Sequence, residues 1–383
     1  MDSREVNMLI EELRAVVGEV HVFDGHGTSH IVDWTGRFRG HTDVVVRPGS
    51  TDEVREVLRV ARTHGRQVVP QGGNTGLVGG GVPLNGEVVL SLTRLNHVGT
   101  PDVAARQIEV GAGATVEAVQ RAAAAVGMRY PVDFGSRGSA TIGGTIATNA
   151  GGVNVLRYGS TRAQVVGLEA VLADGSIVST MAGLMKDNTG YDLRGLMCGS
   201  EGTLGIITKA VLRLVPAHEH RETVMVGCVS VDDALAVVSM VCGASESIDA
   251  AELMSRRGVE LVAEVVGAHR PFESEWYLLI ESSTTQADGT LARLLGGRES
   301  VAVADTAARR EALWKLRDEH TASIATLGVP LKYDVTVPLR SMSDFVSAVR
   351  LAVSLLAPEA EVIVFGHAAD GNLHVNVIGA NLE

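Results

Sequence analysis

Cysteine is scarce in this chain. The 383 residues hold three, Cys198, Cys228 and Cys242, widely spaced and without a CxxC pair. That spacing excludes a disulfide framework and reads as small buried hydrophobes in a reducing compartment. Lysine is nearly missing as well: the 33 basic residues are arginine except for Lys186, Lys209, Lys315 and Lys332. The net charge of −12 argues against nucleic acid, whose backbone such a surface repels. No apolar run approaches the roughly 18 residues that a membrane span needs; the longest candidate, 234–244, is broken by Ser239 and Gly243. A signal peptide is not recognisable at the N-terminus, where Glu5, Glu11 and Glu12 sit in acidic, helix-like sequence, so the expected location is cytoplasmic.

Glycine is abundant instead, and it is clustered. PQGGNTG (70–76) and ATIGGTIATNAGG (140–152) each lie next to a strand-like run. Glycine lets backbone N–H groups approach a ligand closely, and a run of such amides makes a concave nest for anions, diphosphate above all. Two nests in one chain suggest an elongated ligand with a phosphate centre, which points to a dinucleotide. A Walker loop does not fit, because GNTGLVGGG (73–81) contains no lysine. GAGATV from Gly111 imitates a Rossmann fingerprint, but Val116 stands at its third glycine position, and it reads as a tight strand-to-helix turn.

The length favours two domains. In the first, residues 50–64 form a helix with a Ser50/Glu53 capping box, an apolar stripe of Val54, Val57, Leu58 and Ala61, and a stop at Gly65. Strands are expected at 67–70 and 87–92, a helix at 115–126, a hairpin from 165–172 to 176–179 turning at Asp174–Gly175, and a last strand at 206–215. The polar stretch 216–223 marks the boundary, giving domains 1–217 (core about 40–217) and 218–383. The second alternates strands (223–229, 276–281, 332–337, 361–365) with helices (231–242, 307–325, 341–356), which suggests an antiparallel sheet with helices on one face.

Two groups in the second domain carry chemistry. Arg317 and Thr321 stand four apart on a predicted helix and share a face, and Lys332 opens the strand that follows. Arginine grips a carboxylate through parallel N–H donors and lysine adds a compact charge. The alternative is an ordinary surface helix with a charge cluster of Lys315, Asp318 and Glu319. In GHAADGNLHVNV (366–377), a tight turn brings His367 near His374, and Asn376 shares a strand face with His374. Two imidazoles across a hairpin can hold a divalent metal or be satisfied by core hydrogen bonds.

In chain order, PQGGNTG, IGGTIATNAGG, RYGS (157–160), KDNTGYDL (186–193) and GSEGTLGIIT (199–208) resemble the FAD-linked oxidase family related to vanillyl-alcohol oxidase, over about residue 33 to the end. Within it the branch containing D-2-hydroxyglutarate and D-lactate dehydrogenases is most similar. The resemblance implies an α+β chain: a two-lobed PCMH-type FAD-binding domain, then an antiparallel-sheet cap domain that binds substrate and covers the flavin. It implies FAD held by Pro70, Gly72, Gly73, Asn74, Thr75 and Gly76, by Gly135, Ser139, Ile142, Gly143, Gly144, Ala147, Thr148, Asn149, Gly151 and Gly152, and by Glu201, Ile206 and Ile207. The first loop has no histidine for a covalent link, so FAD is expected to be non-covalent. Arg317, Thr321 and Lys332 would grip a substrate carboxylate, His367 and His374 would bind a metal, zinc above all, and Asn376 would touch the reacting end.

Departures accompany the likeness. Ala369 replaces a usual glycine, and the family's later Glu-His-Gly stretch, source of a third metal ligand and a base, has no counterpart before Glu383. The expected reaction is oxidation of a 2-hydroxy acid, best D-2-hydroxyglutarate, to the 2-oxo acid, with electrons passing to a flavoprotein or quinone carrier. D-lactate or glycolate is the rival substrate, and a truncated FAD-binding protein without turnover is the rival class. A homodimer is compatible with all three.

Overall fold

The computed structural model describes residues 3–285 and 289–380; Glu383 lies outside them. Two compact units form. The first comprises Met1–Gly152 and Gly159–Ala217, the second Val153–Tyr158 and His218–Glu383.

The first unit holds β1 (Val22–Phe23), β2 (Val45–Val46), β3 (Val68–Gln71) and β4 (Val88–Ser91) in a sheet ordered β1-β2-β4-β3. β2 and β3 both pair in parallel with β4, so the chain crosses over twice: through helix Thr51–Thr63 from β2 to β3, and through residues 72–87 from β3 to β4. Ser50 caps that helix by accepting the Glu53 N–H at 3.1 Å. The Glu53 carboxylate accepts the Gly49 N–H at 2.7 Å, one residue earlier than a standard capping box. Then come β5 (Gln107–Gly111), β6 (Met128–Arg129), β7 (Val165–Val171), β8 (Ile177–Ser179), β9 (Ile206–Arg213) and β10 (Val215–Pro216). An antiparallel sheet ordered β5-β9-β7-β8 results, with β6 and β10 as a separate ribbon. The β7–β8 hairpin turns at Gly175 (φ 88°), and Gly111–Thr115 is a strand-to-helix turn whose Thr115 caps helix Val116–Ala124. Both sheets feed one apolar core that includes Val44, Leu90, Val110 and Leu212.

The second unit is built on one seven-stranded sheet. Its strands are β11 (His220–Cys228), β12 (Ile248–Ser255), β13 (Trp276–Thr284), β14 (Val301–Ala304), β15 (Leu331–Thr336), β16 (Glu361–His367) and β17 (Asn372–Ile378). Their order is β14-β11-β13-β12-β16-β17-β15, antiparallel at every pairing. Helices cover both faces of this sheet, not one as the pattern suggested. Leu253, Leu278 and Val364 pack on one side with helices Val231–Ala244 and Met342–Leu356, while Met254, Leu279 and Phe365 pack on the other with Arg256–Val266 and Ala307–Asp318. Burial on both faces explains why β12 and the first eight residues of β13 lack any exposed position. Each such leucine contributes about 1.5–3 kcal/mol by leaving water.

Two further differences from the sequence reading matter. The expected helix 307–325 is two helices, Ala307–Asp318 and His320–Ala325, parted at Glu319 (φ −83°, ψ 0°). Segment Val153–Tyr158 belongs with the second unit, where Arg157 donates to the fully buried Asp249 carboxylate at 2.7 Å and to the Ser283 carbonyl at 2.9 Å.

Candidate functional site

In the first unit, three glycine-bearing segments converge. A Cβ on Gly73 would collide with the Ser139 carbonyl, and one on Gly72 with the Thr141 hydroxyl, so the two nests pack directly on each other. A Cβ on Gly202 would stand 2.7 Å from Pro70, which brings GSEGTLG to the same place. Asn74, Asn149 and Glu201 all take left-handed φ angles of 48–51°, uncommon for residues with a side chain. Such geometry turns successive N–H groups toward one point.

Several of the expected residues also hold this site together. The Asn74 amide donates to the carbonyls of Ser29 (2.9 Å) and Val32 (2.8 Å), bolting the loop to that segment. The Asn149 side-chain oxygen accepts from Ser160 and from the Arg162 N–H, both at 2.9 Å. Ile142, Ile206 and Ile207 are buried in the core, and the N–H groups of Ile142 and Gly143 donate to Ala114 and Ala112. Thr148 bonds back to Gly144 within its helix turn. What is left fits an anionic dinucleotide. The N–H groups of Gly73, Asn74, Thr75 and Gly76 have no hydrogen bond among the described residues. Nothing stands within 4 Å of a Cβ built on Gly76 or Gly135. The buried Thr141 and Ser200 hydroxyls have no hydrogen-bond partner among the described residues.

In the second unit, sheet register gathers the remaining candidates on one face. Lys332 pairs with Asn376 and Asp334 with His374 across β15–β17. Phe365 pairs with His374 and Ile363 with Asn376 across β16–β17, and Glu252 pairs with His367 across β12–β16. Since side chains alternate along strands, all of these point to the same side. The His367 and His374 rings lie edge to face, 5.4 Å apart. Arg317 reaches this face from helix Ala307–Asp318, its guanidinium 4.8 Å from the centre of the Phe365 ring. Thr321, in the next helix, and Lys332 are half-buried, and Asn376 is buried. The break at Glu319 means that Arg317 and Thr321 do not share one continuous helix face.

Glu252 is the residue that sequence reasoning missed. It is fully buried, with one carboxylate oxygen 2.6 Å from His367 Nδ1 and the other 2.6 Å from Arg317 Nε. Burial opposes its charge, but His367 and Arg317 outweigh burial and hold its carboxyl at about 2. Burial also pulls His367 down; Glu252 outweighs it and leaves this imidazole above its ordinary value. Burial dominates at His374, which is lowered although Asp334 lies 3.4 Å from its Nδ1. Burial, helped by the charge of Arg317, pushes His320 down to about 3, so the ring packed on Phe365 is neutral. Both hairpin imidazoles thus turn Nδ1 toward a carboxylate, so Nε2 is the atom of each ring that could bind a metal. No group of three His, Cys, Asp or Glu placed to hold a metal occurs among the described residues. No helix among them is long and apolar enough to cross a membrane.

These two sites define a flavin-linked oxidase: residues 42–181 match the family described as FAD binding domain, residues 217–381 match FAD linked oxidases, C-terminal domain, and the chain belongs to the FAD-linked oxidase family. Among its relatives, D-2-hydroxyglutarate dehydrogenase of Xanthomonas citri pv. viticola is 38% identical over 90% of this chain and 75% of its own length. The mitochondrial D-2-hydroxyglutarate dehydrogenase of Rattus norvegicus is 37% identical over 90% of this chain and 66% of its own. A putative mitochondrial D-lactate dehydrogenase of Schizosaccharomyces pombe is 35% identical over 90% and 70%. Among solved structures, p-cresol methylhydroxylase superposes with a TM-score of 0.78 at 16% identity, covering 99% of this chain and 83% of that one, which speaks to fold alone.

Proposed function

We propose that this chain binds FAD non-covalently in the glycine nest and oxidises a D-2-hydroxy acid, D-2-hydroxyglutarate first, to the 2-oxo acid. The observation that carries the reading is one sheet face bearing Lys332, Asn376 and two carboxylate-held imidazoles, which Arg317 reaches from its helix. When bound, FAD supplies a hydride acceptor for the carbon that carries the hydroxyl. His367 and His374 would hold a divalent metal such as zinc through Nε2, and it would supply Lewis-acid chemistry at the hydroxyl end of the substrate.

The protein's own groups then divide the work. Arg317 keeps its two terminal amino groups for the distal carboxylate, because its Nε is committed to Glu252. Lys332, on the same face, adds a second cation, and Thr321 adds a hydroxyl at the start of the neighbouring helix. Asn376 offers an amide beside the imidazoles to orient the reacting end. Fixing the acid at both ends removes rotational freedom before the reaction. Two cations on one face favour a dicarboxylate over D-lactate or glycolate. Electrons leave to a flavoprotein or quinone carrier.

The test is anaerobic titration of the purified, FAD-loaded protein with D-2-hydroxyglutarate, D-lactate and glycolate, following flavin absorbance. Bleaching by D-2-hydroxyglutarate at the lowest concentration is expected, and bleaching by none of the three would sink the reading. Acid precipitation should release all the flavin into the supernatant, whereas flavin kept in the pellet would contradict the non-covalent link.

A further inference from the structure

We propose that Glu252 is the positioning residue that sets His367 and Arg317 relative to one another, and so couples the hydroxyl end of the substrate site to its carboxylate end. This rests on the roles given above to His367 and Arg317. Each carboxylate oxygen serves one partner, Oε1 facing His367 Nδ1 and Oε2 facing Arg317 Nε, both at 2.6 Å. A carboxylate only accepts, so a proton of His367 is held on Nδ1, and in the neutral ring the lone pair lies on Nε2. An acceptor at Nε likewise fixes the plane of the guanidinium and leaves its terminal fork for a second carboxylate.

The scaffold suits such a role. Glu252 and His367 are direct cross-strand partners on β12 and β16, two strands central in the sheet. Arg317 arrives from a helix and is pinned from a second direction by the Phe365 ring. Burying the arginine without an anion would be costly, and Glu252 supplies that anion. A purely structural ion pair would need only one of these contacts. A carboxylate that divides its oxygens between the two groups fixes the separation at which they act.

The experiment compares Glu252→Gln and Glu252→Asp with the parent, all FAD-loaded, and uses Glu281→Gln as a control. Glu281 is also a buried carboxylate of this sheet, bonded to Thr223 and Trp314 at 2.8 and 2.7 Å and outside the site. Zinc affinity measured by competition with a chelating dye should fall about 10–100-fold in Glu252→Gln, the usual effect of losing a ligand's supporting carboxylate. The KM for D-2-hydroxyglutarate should rise at least tenfold, and the KM for D-lactate much less. The ¹⁵N shifts of His367 should move away from the Nδ1–H form. Glu281→Gln should change melting only. If Glu252→Gln does not fold, Glu252→Asp keeps the charge but is one methylene too short to reach both partners, and should show the same losses. Unchanged zinc affinity, unchanged KM and an unchanged His367 tautomer in any folded Glu252 variant would overturn the proposal. If the parent itself takes up no zinc and Arg317→Lys turns over normally, the assignments of His367 and Arg317 fail instead, while the tautomer measurement still decides whether Glu252 orients the imidazole.

Discussion

Arg317 shows how one residue can be legible in sequence while its circumstances are not. Its identity and its spacing to Thr321 and Lys332 are visible in the linear chain. Its anchor, Glu252, stands 65 positions away, and the other partner of that anchor, His367, stands 115 positions from Glu252. No local pattern announces such a carboxylate, because IDAAELMS shows neither a motif nor a charged cluster. The consequence for mutagenesis is direct. Arg317→Ala would strand a buried carboxylate, a loss of about 3–5 kcal/mol that mixes folding with binding. Arg317→Lys keeps a cation near Glu252 but removes the fork. Steady-state kinetics on it should show KM for D-2-hydroxyglutarate raised at least tenfold, about 1.4 kcal/mol, with the flavin spectrum unchanged; an unaltered KM would remove Arg317 from the substrate site. The cysteines give a second test at this scale. Burial pushes the thiols of Cys198 and Cys228 up to about 11 and about 12, so both stay protonated near pH 8, while Cys242 is only half-buried. Mass mapping after brief maleimide treatment at that pH should find label on Cys242 first. Label on Cys228 before Cys242 would contradict the packing beneath helix Val231–Ala244.

At the level of elements, long β-branched or aromatic runs such as β11 and β13 were readable, whereas β12 and the short valine runs of β2 and β14 were not. Asp, Ala and Glu are depleted in strands, yet a position buried on both faces of a sheet imposes the conformation regardless. The division at Glu319 was hidden for a related reason: alanine and glutamate around it favour helix on either side, and only its φ and ψ reveal the interruption. The glycine segments were legible as nests, but the partition of their residues into lining and support was not, since that depends on which amides are already bonded. Gly73 and Gly76 separate the two roles. Alanine at Gly73 would drive a methyl into the Ser139 carbonyl, which costs about 1–3 kcal/mol in stability and weakens FAD binding with it. Alanine at Gly76 meets nothing within 4 Å, so the melting transition should hold to within about 0.5 kcal/mol. If the space beside Gly76 belongs to the dinucleotide, FAD affinity measured by fluorescence quenching should nevertheless fall at least tenfold in Gly76→Ala, about 1.4 kcal/mol. A Gly76→Ala protein that binds FAD like the parent would move the ligand away from this loop.

For the whole molecule, the decisive fact is that each unit has its own apolar core: one joins both sheets of the first unit, and two lie on opposite faces of the seven-stranded sheet. Separate cores permit separate unfolding, so a single two-state transition is not expected. Ligands that bind one unit then stabilise that unit by mass action, about 2.7 kcal/mol at a hundredfold excess over Kd. FAD should therefore slow amide exchange in the first unit, most strongly at residues 72–76, whose amides have no hydrogen bond among the described residues, and at 139–152 and 199–207. 2-Oxoglutarate, the expected product, should instead protect β12, β16 and β17, whose residues Glu252, His367, His374 and Asn376 share one face. Hydrogen exchange read by mass spectrometry, with each ligand added singly, resolves the two responses. Protection by FAD confined to β12, β16 and β17, with residues 72–76 exchanging as before, would place the cofactor on the wrong unit and end the dinucleotide assignment. Protection at 72–76 by FAD but none anywhere by 2-oxoglutarate would keep the flavin and discard the acid.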